Sequence, residues 1–177
     1  NTLFEQFVGG ETLEETANVA NLLGKYKVQV ILDYGVEGGD YGEAGLDHAC
    51  EEFLKVVNYA ATQSNVPFMS IKVTGLARFG LLEKLDTAAQ AKSGFEGRVH
   101  TEVLSESERA EWNGVVVRME RICDAAARQQ VGVLIDAEES WIQDPVDALV
   151  MQMMEKYNKG KAIVYNTVQL YRHDRLQ

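Results

Sequence analysis

Short apolar, β-branched runs alternate along this chain with long segments in which apolar residues recur at helical spacing. The strand runs are Val28 to Leu32 (VQVIL), Phe68 to Val73 (FMSIKV), Val131 to Ile135 (VGVLI), and a fourth opening at Ala162 to Tyr165 (AIVY). The first helix is expected from Thr12, where Thr12 and Glu15 form a T-x-x-E capping box. It shows Leu13, Ala17, Ala20 and Leu22 or Leu23 on one face and stops at Gly24. The second, about Glu43 to Thr62, has an apolar face of Leu46, Ala49, Cys50, Phe53, Leu54, Val57 and Ala61, and Asn65 and Pro67 break the pattern after it. The third crossover is the longest. A helical stretch from about Arg78 meets a Gly/Lys-rich break from Lys92 to Gly97, and a second helix follows, opened by the box Ser105 and Glu108. Its expected buried stripe is Trp112, Val115, Val116, Met119, Ile122, Cys123 and Ala126. Asp144 and Pro145 suit the N-cap and N1 positions of the next helix.

Four strands joined by long crossovers call for parallel pairing, as in a doubly wound sheet or part of a (β/α)8 barrel. A dinucleotide-binding doubly wound sheet would carry G-x-G-x-x-G directly after its first strand. Here GVEGGDYGEAG follows Asp33 with scattered glycines, without that spacing and without a P-loop lysine. The expected class is therefore α/β, about four βα units of a TIM-type barrel. No Pro/Ser-rich linker or repeat divides residues 1–177, which are expected to form one domain.

Charge and composition narrow the function classes. The balance is 17 basic against 27 acidic side chains, a net charge of -10, and no Lys/Arg block stands out, so nucleic acid is not an expected partner. There is no run of about 18 apolar residues, and NTLFEQFVGGET lacks the basic and apolar parts of a signal peptide. The expectation is a soluble, intracellular protein. Cys50 and Cys123 fall on apolar helix faces and are expected as reduced core thiols.

In a barrel the reactive groups sit at the carboxyl ends of the strands. Each run here ends in polar residues: Asp33 and Glu37 after the first, Lys72 and Thr74 at the second, Asp136, Glu138 and Glu139 after the third, and Asn166, Thr167 and Gln169 after the fourth. Lys72 is the most unusual. A lysine within FMSIKVTGL needs a partner such as Asp136 if it points inward; otherwise it snorkels to solvent and Asp136 merely caps the next loop. Four strands that all end this way favour a site. His48, His100 and His173 show no metal-ligand spacing, and no metal is expected. There is no G-x-S-x-G elbow. Met151, Met153 and Met154 read as core filler, and the stretches 40–43 and 106–111 as solvated, acidic helix starts.

The segments FVGGETLEE, ILDYGVEG, PFMSIKVTGLARF, VLIDAEESWIQD and YNTVQLYRHDRL resemble the proline dehydrogenase family over nearly the whole chain. The likeness is to its larger branch, which carries a helical insertion between the second and third strands, expected here at about 92–128. The resemblance implies oxidation of L-proline to Δ1-pyrroline-5-carboxylate with hydride transfer to FAD, and a quinone as electron acceptor. It implies Lys72 beside substrate and flavin, Asp136 orienting the site, Asp33 and Glu37 on the substrate side, Gln169 against the isoalloxazine, and Glu138 as a supporting carboxylate near the cofactor. It also implies peripheral membrane association of the full enzyme, a homo-oligomer, and residence in the bacterial cytoplasm or the mitochondrial matrix and inner membrane. The family's arginine-bearing final helix and its later flavin-binding segments find no match in these residues. A partial barrel, inactive by itself, is therefore expected, since a whole one takes about 250 residues. Two other readings stand beside this one: a non-catalytic half-barrel that binds a partner, and a Schiff-base aldolase using Lys72.

Overall fold

The computed structural model describes residues 8–35, 42–92 and 97–175. Four strands, β1 (Ile31–Asp33), β2 (Phe68–Ile71), β3 (Gly132–Ile135) and β4 (Val164–Asn166), form one parallel sheet in the order β1-β2-β3-β4. Every strand lies beside its sequence neighbour. A doubly wound sheet would reverse direction at a switch point, whereas strands added in sequence order, each followed by helix, are the growth pattern of a TIM-type barrel. The sheet is thus a four-strand arc of such a barrel.

Among the described residues five α-helices accompany the strands: α1 (Leu13–Lys25), α2 (Gly42–Ala61), α3 (Phe79–Gln90), α4 (Glu106–Gln129) and α5 (Gln143–Tyr157). In register, Leu32, Met69, Val133 and Val164 form one row across the sheet. With Ile71 and Ile135, which lie two residues further along on the same face, they are all buried. That face takes the helices. α2 packs on α4, α3 on α5, and α4 on α5, sealing Phe53, Val57, Leu82, Leu85, Met119, Ile122 and Leu149 against it. The opposite face carries Phe68, Ser70, Gly132, Leu134 and Tyr165, of which Ser70 and Gly132 are buried and the others partly exposed.

Helix chemistry follows local rules with informative exceptions. α4 has a complete capping box, Ser105 Oγ accepting from the Glu108 N–H at 3.3 Å and the Glu108 carboxylate from the Ser105 N–H at 2.7 Å. At α1, Thr12 Oγ1 accepts from the Glu15 N–H at 3.2 Å, but Glu15 reaches back to the Glu11 N–H instead. Gly24 is not the stop: α1 runs on to Lys25 and ends where Lys27 takes a φ of 60°. Only Ala20 of α1 is buried. On α2 the buried face takes Val56 and Ala60 and leaves Ala61 exposed. α5 begins two residues earlier than Asp144 would dictate, with Ile142 as N-cap and Asp144 inside the first turn. Burial decides that position, because the Asp144 carboxylate is recruited by side chains from other elements. Of the three methionines of α5, Met153 is core while Met151 is 46% exposed. Cys50 and Cys123 are free, buried thiols, as expected.

Candidate active site

The strands are shorter than the apolar runs; Asp33 and Asn166 close β1 and β4, while Lys72 and Asp136 stand just beyond β2 and β3. β2 ends at Ile71; Lys72 is the N-cap of a 3-10 turn, Val73–Gly75. Asp136 follows β3 directly, and its N–H donates to the Ile71 carbonyl at 3.0 Å, which carries the ladder one step past both strands. Lys72 and Asp136 are thereby set side by side on the sheet face away from the helices. Lys72 Nζ lies 3.3 Å from Asp136 Oδ2 and 3.7 Å from Asp33 Oδ2. The lysine is pinned between two carboxylates rather than extended into solvent, with about a quarter of its side chain accessible. Asp33 also lines a recess of about 680 Å³ between α1 and β1.

Glu138 joins three of the loops. Its Oε1 accepts from the Thr74 N–H at 3.1 Å, its Oε2 from the Thr74 hydroxyl, and its backbone carbonyl from Gln169 Nε2. Its own N–H donates to Gln143 Oε1 at 2.9 Å. Burial pushes the Glu138 carboxyl above its ordinary value, outweighing the Thr74 bonds that pull it down. Gln169 is 6% exposed, and while its Nε2 is engaged, its Oε1 is buried with no hydrogen-bond partner. A buried acceptor left open costs free energy unless a ligand supplies the donor. The imide N–H edge of a flavin is one such donor, so this residue fits the expected cofactor.

Of the six residues to which the resemblance gives roles, Lys72, Asp136 and Asp33 form one ionic cluster, and Glu138 and Gln169 form a hydrogen-bonded pair joined to it through the β2 loop at Thr74. Glu37 lies outside the described residues. Three supporting residues were not anticipated. Gln143 and Asp147 sit one turn apart on α5, both buried, where Gln143 Nε2 and Asn166 Nδ2 each donate to Asp147 Oδ1 at 2.8 and 3.0 Å. Their i, i+4 spacing on a helix was the available signal. Arg118, 3% exposed on α4, donates to Asp47 at 2.7 Å and to the Leu76 carbonyl at 3.2 Å, and pairs with Glu43. It ties the start of α2 to the loop that bears Lys72 and Thr74. Glu43 is therefore not a merely solvated helix start; nor are Glu108 and Glu111, which pair with Lys84 and Arg78.

The family model for proline dehydrogenase matches residues 16–177. Among curated relatives, the carbapenem antibiotics biosynthesis protein CarD of Pectobacterium carotovorum is 31% identical over 97% of this chain and 42% of its own length. Proline dehydrogenase 1, mitochondrial, of Dictyostelium discoideum is 28% identical over 96% of this chain and 34% of its own, and hydroxyproline dehydrogenase of Xenopus laevis 27% identical over 98% and 41%. The chain thus spans between about a third and two-fifths of the length of these relatives. Among solved structures, proline utilization A (PutA) from Bdellovibrio bacteriovorus, inactivated by N-propargylglycine, superposes with a TM-score of 0.68 at 14% identity, over 97% of this chain and 17% of that one. PutA of Bradyrhizobium japonicum gives 0.60 at 14% identity, over 94% and 15%. These likenesses support the fold, and the match of the family model over nearly the whole chain gives its kinship: the chain belongs to the proline dehydrogenase family.

Proposed function

We propose that the protein carrying this chain oxidises L-proline to Δ1-pyrroline-5-carboxylate with FAD, at the rim formed by the loops after β1 to β4. The observation that carries this reading is the Lys72 ammonium held between Asp136 and Asp33, linked through Thr74 and Glu138 to a glutamine whose buried Oε1 awaits a donor. Flavin, once bound, would supply the two-electron acceptor for a hydride from the ring carbon beside the proline nitrogen, with loss of the proton on that nitrogen to leave an imine. This chain's own residues set the conditions. Lys72 supplies positive charge beside substrate and ring, where negative charge gathers on the proline carboxylate and on the reduced cofactor. Asp136 fixes the ammonium, and Asp33 borders the substrate, a role the family resemblance also gives Glu37. Gln169, supported by Glu138, would hold the ring through its open Oε1.

The same reading makes residues 1–177 part of one barrel domain with a helical insertion at about 92–128, a quinone the electron acceptor, and membrane association peripheral. It allows a homo-oligomer and either the bacterial cytoplasm or the mitochondrial matrix and inner membrane. Two carboxylates within 4.0 Å of Lys72 suit a cationic role better than Schiff-base chemistry, which needs the neutral amine. The test is made on the whole protein: flavin absorbance of the purified material, and reduction of a dye by proline. A colourless protein inert to proline would refute the proposal, and Schiff-base trapping with borohydride would support the aldolase reading instead.

A further inference from the structure

We propose that Arg172 is a positioning residue for Gln169. Seated on the buried Asp144 and on the Ser140 carbonyl, its guanidinium holds the loop after β4 against the loop after β3 and so aims the Gln169 amide at the rim. The proposal rests on the reading of Gln169 as a flavin contact.

A glutamine fixed only through Nε2 can swing about its side-chain bonds, so the orientation of Gln169 depends on the loop that carries it. That loop is closed on itself where the Arg172 N–H donates to the Gln169 carbonyl at 2.9 Å. It is then tied twice to the β3 loop: Gln169 Nε2 donates to the Glu138 carbonyl, and Arg172 Nη1 to the Ser140 carbonyl at 2.8 Å. Arg172 Nη2 stands 3.3 Å from Asp144 Oδ1 and 2.6 Å from Asp174 Oδ2.

The anchor beneath is buried and bonded from several elements. Asp144 is 1% exposed, accepts from Gln90 Nε2 at 2.7 Å, pairs with Arg175, and donates its own N–H to the buried Asp86 at 2.9 Å. Arg175 Nε reaches Asp147 at 3.1 Å, and Asp147 also holds Asn166 at the start of the loop. The segment is therefore clamped at both ends to α5, with Gln169 between the clamps. A planar guanidinium serves a carbonyl and two carboxylates at once, which an ammonium on a flexible stem cannot reproduce. Loss of Arg172 leaves Asp144 with less compensation in a buried place, and the loop is free to lift.

The experiment uses the whole protein with Arg172→Gln, Arg172→Lys, Gln169→Ala and the double variant Gln169→Ala/Arg172→Gln. FAD affinity is measured by fluorescence titration, and amide hydrogen exchange over 166–172 is followed without FAD. Arg172→Gln should weaken FAD roughly tenfold and speed exchange in that segment, and Arg172→Lys should not restore it. In the Gln169→Ala background the same change should cost less than about twofold, because the residue it acts through is gone. Additive losses, full rescue by lysine, or unchanged exchange would overturn the proposal. If Gln169→Ala alone leaves FAD affinity intact, the flavin reading of Gln169 fails instead, and exchange alone then decides the clamp. Should Arg172→Gln not fold, Asp144→Asn weakens the same anchor while keeping its shape and is scored the same way.

Discussion

Lys72 and Asp136 lie 64 positions apart in sequence, yet Lys72 Nζ stands 3.3 Å from Asp136 Oδ2. The pairing follows from strand register: Ile71 and Ile135 are direct partners, so the next residue after each strand falls beside its counterpart with its side chain on the open face. A neutral Lys72→Met replacement should lower kcat/KM for proline by about two orders of magnitude, the scale of losing one charge aimed at the reacting groups. FAD content and melting temperature should change little, because the site of Lys72 is half-open. Turnover equal to wild type, measured by steady-state dye reduction, would remove Lys72 from the mechanism.

Glu138 gives a pH signature of defined sign. Its carboxyl is raised from the ordinary 4.5 chiefly by burial, so the folded state takes up a proton more readily than the unfolded one. The stability this contributes is complete below about 4.5 and is lost as pH rises through the raised value. Glu138→Gln removes the titration. Urea denaturation between pH 4 and pH 8 should show the wild type losing stability relative to the variant with rising pH, and a constant difference would contradict the assignment.

Gly132 has no room for a side chain. A Cβ there would strike the Phe68 ring edge and come within 3.3 Å of Tyr165 Cε2, and those two rings already pack edge to face at 5.5 Å. Gly132→Ala should destabilise by about 1 to 3 kcal/mol, the usual cost of overpacking. Chemical denaturation gives the number, and a neutral result would mean that Phe68 swings aside without loss.

At the start of α4, Ser105→Ala removes one half of the capping box and should cost about 1 kcal/mol. The Glu108 carboxyl, held at about 2 first by its Lys84 contact and then by the Ser105 bonds, should titrate higher in the variant. NMR titration of the glutamate side chains distinguishes this from a purely local fraying of the helix, which would leave the Lys84 pair and its titration unchanged.

Burial of Cys123 pushes its thiol up to about 12. A thiol reagent at pH 8 should therefore react with it only in denaturant, whereas rapid labelling of the native protein would mean that α4 opens from the sheet.

Local pattern was enough for a large part of this protein. The β-branched runs, the apolar spacing of α2 and α4, and the Ser105 box are set by residues within one or two turns of each other, so those elements were legible without a fold. The polar residues that end each run could be recognised for the same reason, and family resemblance gave them roles. Sequence could not say that Asp144 would leave its N-cap post to receive Gln90, Arg172 and Arg175, since those partners come from 28 to 54 residues away. Nor could it place Gln143, Asp147 and Arg118, whose polarity is tolerable in the interior only because distant groups satisfy it. Helix caps, strand runs and thiol burial belong to the chain itself. The open Gln169 acceptor, the Lys72 cluster and the clamp beneath them exist only when the register of β2, β3 and β4 brings their loops to one rim, because hydrogen bonds act over about 3 Å whatever the separation in sequence.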